Sequence, residues 1–219
     1  YSYRIIFIPE TIGSIHYISK NLKSMKKNIL AGFNITCVGD DGPFSIIYSK
    51  NGDTYADKTL NHVLKWTKGK VLKYSYLHRG SDERQYCAPN IDLPVATFCR
   101  SKFGEYKEYH TSLDNLNFVS TKGLNKSIEV LFKVLEVLES NCYLNSLCYC
   151  EPQLGKRGLY PNTSKYDNYS NIKNIMNLLA YADGRTLLEI AELSNLPIWN
   201  YYEEIKTLKE NNLIKCLNI

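Results

Sequence analysis

The spacing of apolar residues changes several times along the chain, and each change predicts an element. Residues 3–8, YRIIFI, are β-branched and aromatic, which predicts a central strand covered on both faces and stopped by Pro9. A helical pattern follows over 14–27, with Ser14 placed to cap it. FNITCV (33–38) predicts a second strand, ending in Gly39-Asp40-Asp41-Gly42-Pro43. Ala56, Leu60, Val63, Leu64 and Trp66 predict a helix over 54–67. VLKYSYL (71–77) alternates like a strand, and LPVATF (93–98) predicts a short buried one. Ile128, Leu131, Phe132, Leu135 and Leu138 recur at steps of three and four and predict an amphipathic helix over 124–140.

Strands alternating with helices predict an α/β domain with a mostly parallel mixed sheet and flanking helices over residues 1–145. The texture then changes. Residues 146–170 are rich in Tyr, Asn, Pro and Gly and predict a connecting segment. Residues 171–219 predict a helix over 172–182, a helix capped by Thr186, a turn at Leu196-Pro197, a helix over 198–211 and a last strand in LIKCLNI. That order predicts a small C-terminal winged-helix domain.

Composition adds little to this picture. The chain has 219 residues, 22% of them charged, and a net charge of +5. No run approaches the ~20 apolar residues of a membrane span. From Ile172 onward, five basic side chains stand against six acidic ones, so the basic excess lies in the first 171 residues. The predicted 198–211 helix carries Glu203, Glu204 and Glu210 against Lys206 and Lys209. Phosphate contact needs positive charge, so this helix argues against DNA. A packing or homo-oligomerisation role for the winged helix fits better. The seven cysteines include no CxxC, and free thiols in a reducing cytoplasm are expected. The chain begins at Tyr1 within strand-like sequence, which predicts a fragment whose upstream part is missing.

Candidate chemistry sits at the predicted strand ends, where open α/β sheets bind ligands. Glu10 follows the first strand, Asp40 and Asp41 the second, and His110, in EYHTSLDNLNF (108–118), the LPVATF strand. Each has a plainer account: a helix cap, an Asp-Gly turn, an exposed histidine. Together they are a donor set suited to a hydrolytic metal, which takes His nitrogen and carboxylate oxygen.

Five segments in order resemble the C-terminal half of a zinc aminopeptidase of the M28 type. They most resemble a bacterial aminopeptidase-like branch that carries a C-terminal winged helix. The segments are Phe7–Ser14 (FIPETIGS), Thr36–Gly42 (TCVGDDG), Gly80–Glu83 (GSDE), Ile91–Ala96 (IDLPVA) and Tyr109–Asp114 (YHTSLD). The resemblance implies a partial zinc-exopeptidase-like fold and hydrolysis of a peptide or small amide beside a free amino group. It implies one or two zinc ions, in a site completed by residues upstream of Tyr1. Glu10 would be the general base, and Asp40 or Asp41, with His110, would be ligands. Asp82, Arg84 and Tyr86 would line the substrate pocket, and Asp114 would orient His110 or cap a helix. Thr11 stands where the family has a second glutamate, and Glu83 where it has a histidine. The rival expectations are a catalytically inactive scaffold and a DNA-binding regulator.

Overall fold

The computed structural model of the chain describes residues 1–160 and 167–219. They form two compact units, Tyr1–Leu135 and Glu136–Ile219.

In the first unit, residues 1–9 have no regular secondary structure, where a central strand was expected over 3–8. Ile5 and Phe7 are 80% and 94% exposed. An apolar run becomes a strand only when a neighbour completes its ladder of hydrogen bonds, and no strand among the described residues pairs with this one. Helix α1 (Ile12–Asn28) follows and buries Ser14, Ile18 and Met25. Strand β1 (Gly32–Ile35) is the front of the predicted FNITCV strand.

The next strand, β2 (Phe44–Ile47), was not expected, and all four of its residues are buried. Its four residues are too few for alternation to be visible, and they lie directly behind the Gly-Pro turn. Helix α2 (Tyr55–Trp66) starts with a capping box: the Asp57 amide donates to the Thr54 side chain, and the Thr54 amide donates to the Asp57 carboxylate. Its buried Ala56, Leu60, Val63 and Leu64 recur at helical spacing. Strand β3 (Val71–Tyr74) stops short of the predicted residue 77, because Tyr76–His78 turn as a 3-10 helix. Short helix α3 (Glu83–Tyr86) precedes β4 (Val95–Cys99), which is buried throughout.

The sheet order is β1-β4-β2-β3. β1 pairs with β4 and β2 with β3 in parallel, while β2 and β4 run antiparallel. The sheet is therefore mixed and mostly parallel. β4 lies inside it, which is why its five residues tolerate no exposure. Helix α4 (Thr121–Ser140) starts against the 38–41 backbone, since Ser127 Oγ donates to the Val38 carbonyl at 2.7 Å.

In the second unit, β5 (Tyr143–Ser146) lies between β6 (Asp183–Thr186) and β7 (Ile214–Leu217) in an antiparallel sheet. Helix α5 (Asp167–Ala180) begins before the predicted residue 172. Helix α6 (Leu187–Leu193) carries the expected Thr186 cap, completed by Glu189. The predicted 198–211 helix opens as a 3-10 turn, Ile198–Tyr201, and continues as α7 (Tyr202–Glu210). Helix, strand, helix, helix, strand is a winged helix-turn-helix order. No helix among the described residues is long and apolar enough to cross a membrane.

Candidate active site

One polar residue interrupts each of the apolar strands β1 and β4, and the register sets the two side by side. Asn34 of β1 pairs with Thr97 of β4. Both donate to Oε2 of Glu83 at 2.9 Å. Oε1 of the same carboxylate accepts the amides of Gly80 at 2.7 Å and Ser81 at 3.1 Å. Glu83 is fully buried, and its charge is distributed over four donors. It fastens the 80–82 loop to the sheet. The sequence offered one signal for this site, a polar residue in each of two otherwise apolar strands.

That loop holds the start of α1. Thr11 has φ 64 and ψ −69, and the Ile12 amide donates to the Glu10 carbonyl at 2.8 Å. Thr11 is thus the centre of a γ-turn of positive φ, a strained arrangement for a residue with a β-branched side chain. Two side chains from the 80–86 region fix it. Asp82 Oδ1 accepts the Thr11 amide at 2.7 Å, and Arg84 Nη2 donates to Thr11 Oγ1 at 2.7 Å. The Ser14 hydroxyl donates to the Tyr86 hydroxyl at 3.3 Å, and burial pushes the Tyr86 phenol upward. Asp82, Arg84 and Tyr86, expected to line a substrate pocket, all grip the α1 entry. Glu10 itself is exposed.

Asp40 is 3% exposed, and its own turn occupies it. Oδ1 accepts the Gly42 amide at 2.6 Å and the Ser101 hydroxyl at 2.7 Å, and Oδ2 accepts the Ser101 amide at 3.2 Å. Asp41 is exposed and accepts from Ser120 Oγ at 2.9 Å. The α4 start packs so closely here that a Cβ on Gly123 would sit 2.4 Å from the carbonyl oxygens of Gly39 and Asp40. Buried Arg100 donates to the Gly42 carbonyl at 2.5 Å and lies over the Phe44 ring.

His110 is exposed, has φ 58, and stacks on Tyr109 with ring centroids 3.9 Å apart. It belongs to a succession of turns over 103–119 rather than to a helix start. Tyr109 meets Tyr106 edge-on, and Tyr106 stacks on Phe118. The Tyr106 hydroxyl donates to the Cys37 sulfur at 3.6 Å. Burial raises the Tyr106 phenol, and the carboxylates of Asp114 and Asp40 push in the same direction. Burial also raises the Tyr109 phenol, and the charges of Cys37 and Glu10 push in the same direction. Among the described residues, Asp114 makes no hydrogen bond to His110; its amide donates to the Thr111 carbonyl.

The structure therefore gathers Tyr106, Tyr109, His110 and Phe118 through ring contacts. Among the described residues, no three His, Cys, Asp or Glu side chains stand close enough to hold a metal ion. With Asp40 already bonded to three donors, the described residues of this chain do not fit zinc unaided. Two cavities, of ≈ 530 and ≈ 420 Å³, lie elsewhere: one is lined by residues including Leu187, Tyr202 and Lys209, the other by residues including Tyr48, Lys50 and Tyr76.

Comparison with known proteins gives a context for this geometry. The model of a domain of unknown function, DUF4910, matches residues 1–141, and a winged helix-turn-helix model matches 141–216. A Clostridium acetobutylicum protein, provisionally named a polysaccharide biosynthesis protein with an aminopeptidase-like domain, is 41% identical over 199 residues. That match covers 90% of this chain and 45% of the relative. A crystal structure of a provisionally assigned peptidase from C. acetobutylicum aligns over 95% of this chain and 47% of its own, with 35% identity and a TM-score of 0.85. The chain thus spans about half the length of either. An aminopeptidase from Aneurinibacillus sp. strain AM-1 aligns at 19% identity and a TM-score of 0.49, too loosely to bear on fold or function.

Proposed function

The chain belongs to the DUF4910 family, and on that premise we propose that it forms part of an aminopeptidase-like hydrolase. The proposed reaction is attack of water on a peptide or small amide carbonyl beside a free amino group. Glu10 is the general base that takes the proton from that water. One observation supports the reading: Thr11, next to Glu10, is held by the Asp82 carboxylate and the Arg84 guanidinium, so the backbone that carries the base is fixed in place. The names of the Clostridium relatives support the same class.

Zinc is the ion that the resemblance implies. In this proposal His110 and the Asp40-Asp41 turn contribute donors, and the remaining donors come from outside this chain. This chain's own contribution is to hold Glu10. Glu83 anchors the 80–82 loop, Asp82 and Arg84 lock Thr11, and the γ-turn fixes the backbone that carries the base.

The test uses the full-length protein. Its wild type should contain zinc stoichiometrically and release nitroaniline from aminoacyl-nitroanilides, with the activity abolished by a chelator. Glu10→Gln should lose turnover but keep the metal, and His110→Ala should lose both. Full metal content in His110→Ala would remove that residue from the ligand set.

A second reading, an inactive scaffold, is favoured by Thr11, whose hydroxyl is engaged by Arg84 where the resembled family has a carboxylate. Metal-free, inactive wild type would support it. The winged helix-turn-helix match also supports a DNA-binding reading, which the acidic side chains of α7 oppose. We assign the winged unit a packing or oligomerisation role, to be checked by sedimentation.

A further inference from the structure

The winged unit carries a pair of thiols for which the proposed hydrolase has no use. β5 and β7 are antiparallel, with Tyr143 opposite Leu217 and Leu144 opposite Cys216. Side chains two positions apart share a face of a strand. Cys142, directly before β5, therefore lies on the face of Leu144 and diagonal to Cys216. The two side chains are hydrogen-bonded to each other, and the positive charge of Lys209 favours the thiolate form of each. Both thiols are free and half-buried.

The pair is chemically asymmetric. The hydrogen bond from Cys142 is the main reason that Cys216 falls to about 7, against burial and with help from Lys209. Cys142 moves the opposite way, because its proton is shared with Cys216 and because it is partly buried. One sulfur is disposed to be thiolate at neutral pH, while its neighbour keeps a proton. The other cysteines differ. Burial raises Cys87 and Cys99. Cys37 sits among the hydroxyls of Thr36 and Tyr106.

We propose that Cys142 and Cys216 form a peroxide-reactive dithiol site that closes to a disulfide between the ends of β5 and β7. The Cys216 thiolate attacks one oxygen of a hydroperoxide, the O–O bond breaks, and the departing oxygen takes up a proton. The sulfenic acid left on Cys216 is then attacked by the Cys142 sulfur, which gives up its proton as water leaves. Two thiols and one hydrogen peroxide become one disulfide and two waters, so the peroxide supplies the oxidising equivalents. Diagonal positions are wider apart than a disulfide's Cβ atoms, so closure draws the strand ends together. Cys142 precedes the first residue of β5, and Cys216 is the penultimate residue of β7, so the contraction is confined to the sheet's end.

The experiment treats the reduced chain with one equivalent of hydrogen peroxide, alkylates the remaining thiols and maps the peptides. The expected product is a linked Cys142–Cys216 peptide that dithiothreitol reverses. In Cys142→Ser, dimedone should trap a sulfenic acid on Cys216. In Cys216→Ser, thiol loss should slow at least tenfold. The wild-type map stands even if a variant fails to fold. Oxidation falling first on Cys37, Cys148 or Cys150, linkage only between separate chains, or no oxidation at all would each overturn the proposal.

Discussion

The Thr11 amide donates to the Asp82 carboxylate at 2.7 Å, a bond that joins residues 71 positions apart and holds a strained turn at the entry to α1. Removing the acceptor leaves a half-buried amide unpaired. Asp82→Ala is expected to lower unfolding stability by about 1–2 kcal/mol. Asp82→Asn, which keeps an accepting oxygen, should cost less than half of that. Thr11→Gly should be close to neutral, because loss of the β-carbon penalty at positive φ offsets the lost Arg84 bond. Urea unfolding of the three variants distinguishes these outcomes; an Asp82→Ala protein as stable as wild type would sink the account.

Glu83 is satisfied by four donors and by no nearby cation that forms a salt bridge with it among the described residues. Glu83→Ala leaves Asn34, Thr97 and two backbone amides facing a cavity. It is expected to cost about 3 kcal/mol or more. Glu83→Gln turns an amide donor toward existing donors, so it should recover only part of that loss. Denaturant midpoints at constant m-value measure both.

Gly123 shows the reverse constraint. The atoms that its absent Cβ would meet are backbone carbonyls, which cannot swing aside. Gly123→Ala is expected to destabilise by about 1–3 kcal/mol despite alanine's better helix propensity. Crystals of the variant should show the Asp40 turn displaced from Ser101; an unmoved turn would contradict the packing argument.

Alkaline pH should weaken the fold through Tyr74. Its phenol is raised from 10.0 to about 12, first by burial and then by its hydrogen bond to Glu105. A group raised in the folded state contributes stability below its unfolded value and loses it as pH climbs through the folded one. The melting temperature should therefore fall more steeply between pH 10 and about 12 in wild type than in Tyr74→Phe. Parallel curves for the two proteins would rule out this contribution.

Local chemistry alone determined several parts of this protein. The Thr186 cap, the apolar spacing of α2 and α4 and the alternation of helix and strand are properties of neighbouring residues. They predicted where helices form and that the fold is α/β with a winged unit. Tertiary structure decided the rest. YRIIFI has the composition of a strand yet forms none, because a strand requires a partner, and no partner is encoded in the run itself. FSII was too short to announce itself, and the sheet defines it. Glu83 stood out in sequence only as a departure from a resembled motif; four donors from three separate segments make it an anchor. Asp40 is committed to its own turn, and among the described residues the acids and His110 do not close a metal site. Side-chain spacing is written along the chain, whereas the pairing of buried polar groups depends on which distant segments the fold brings into reach, and that is fixed only when the sheet and its loops assemble.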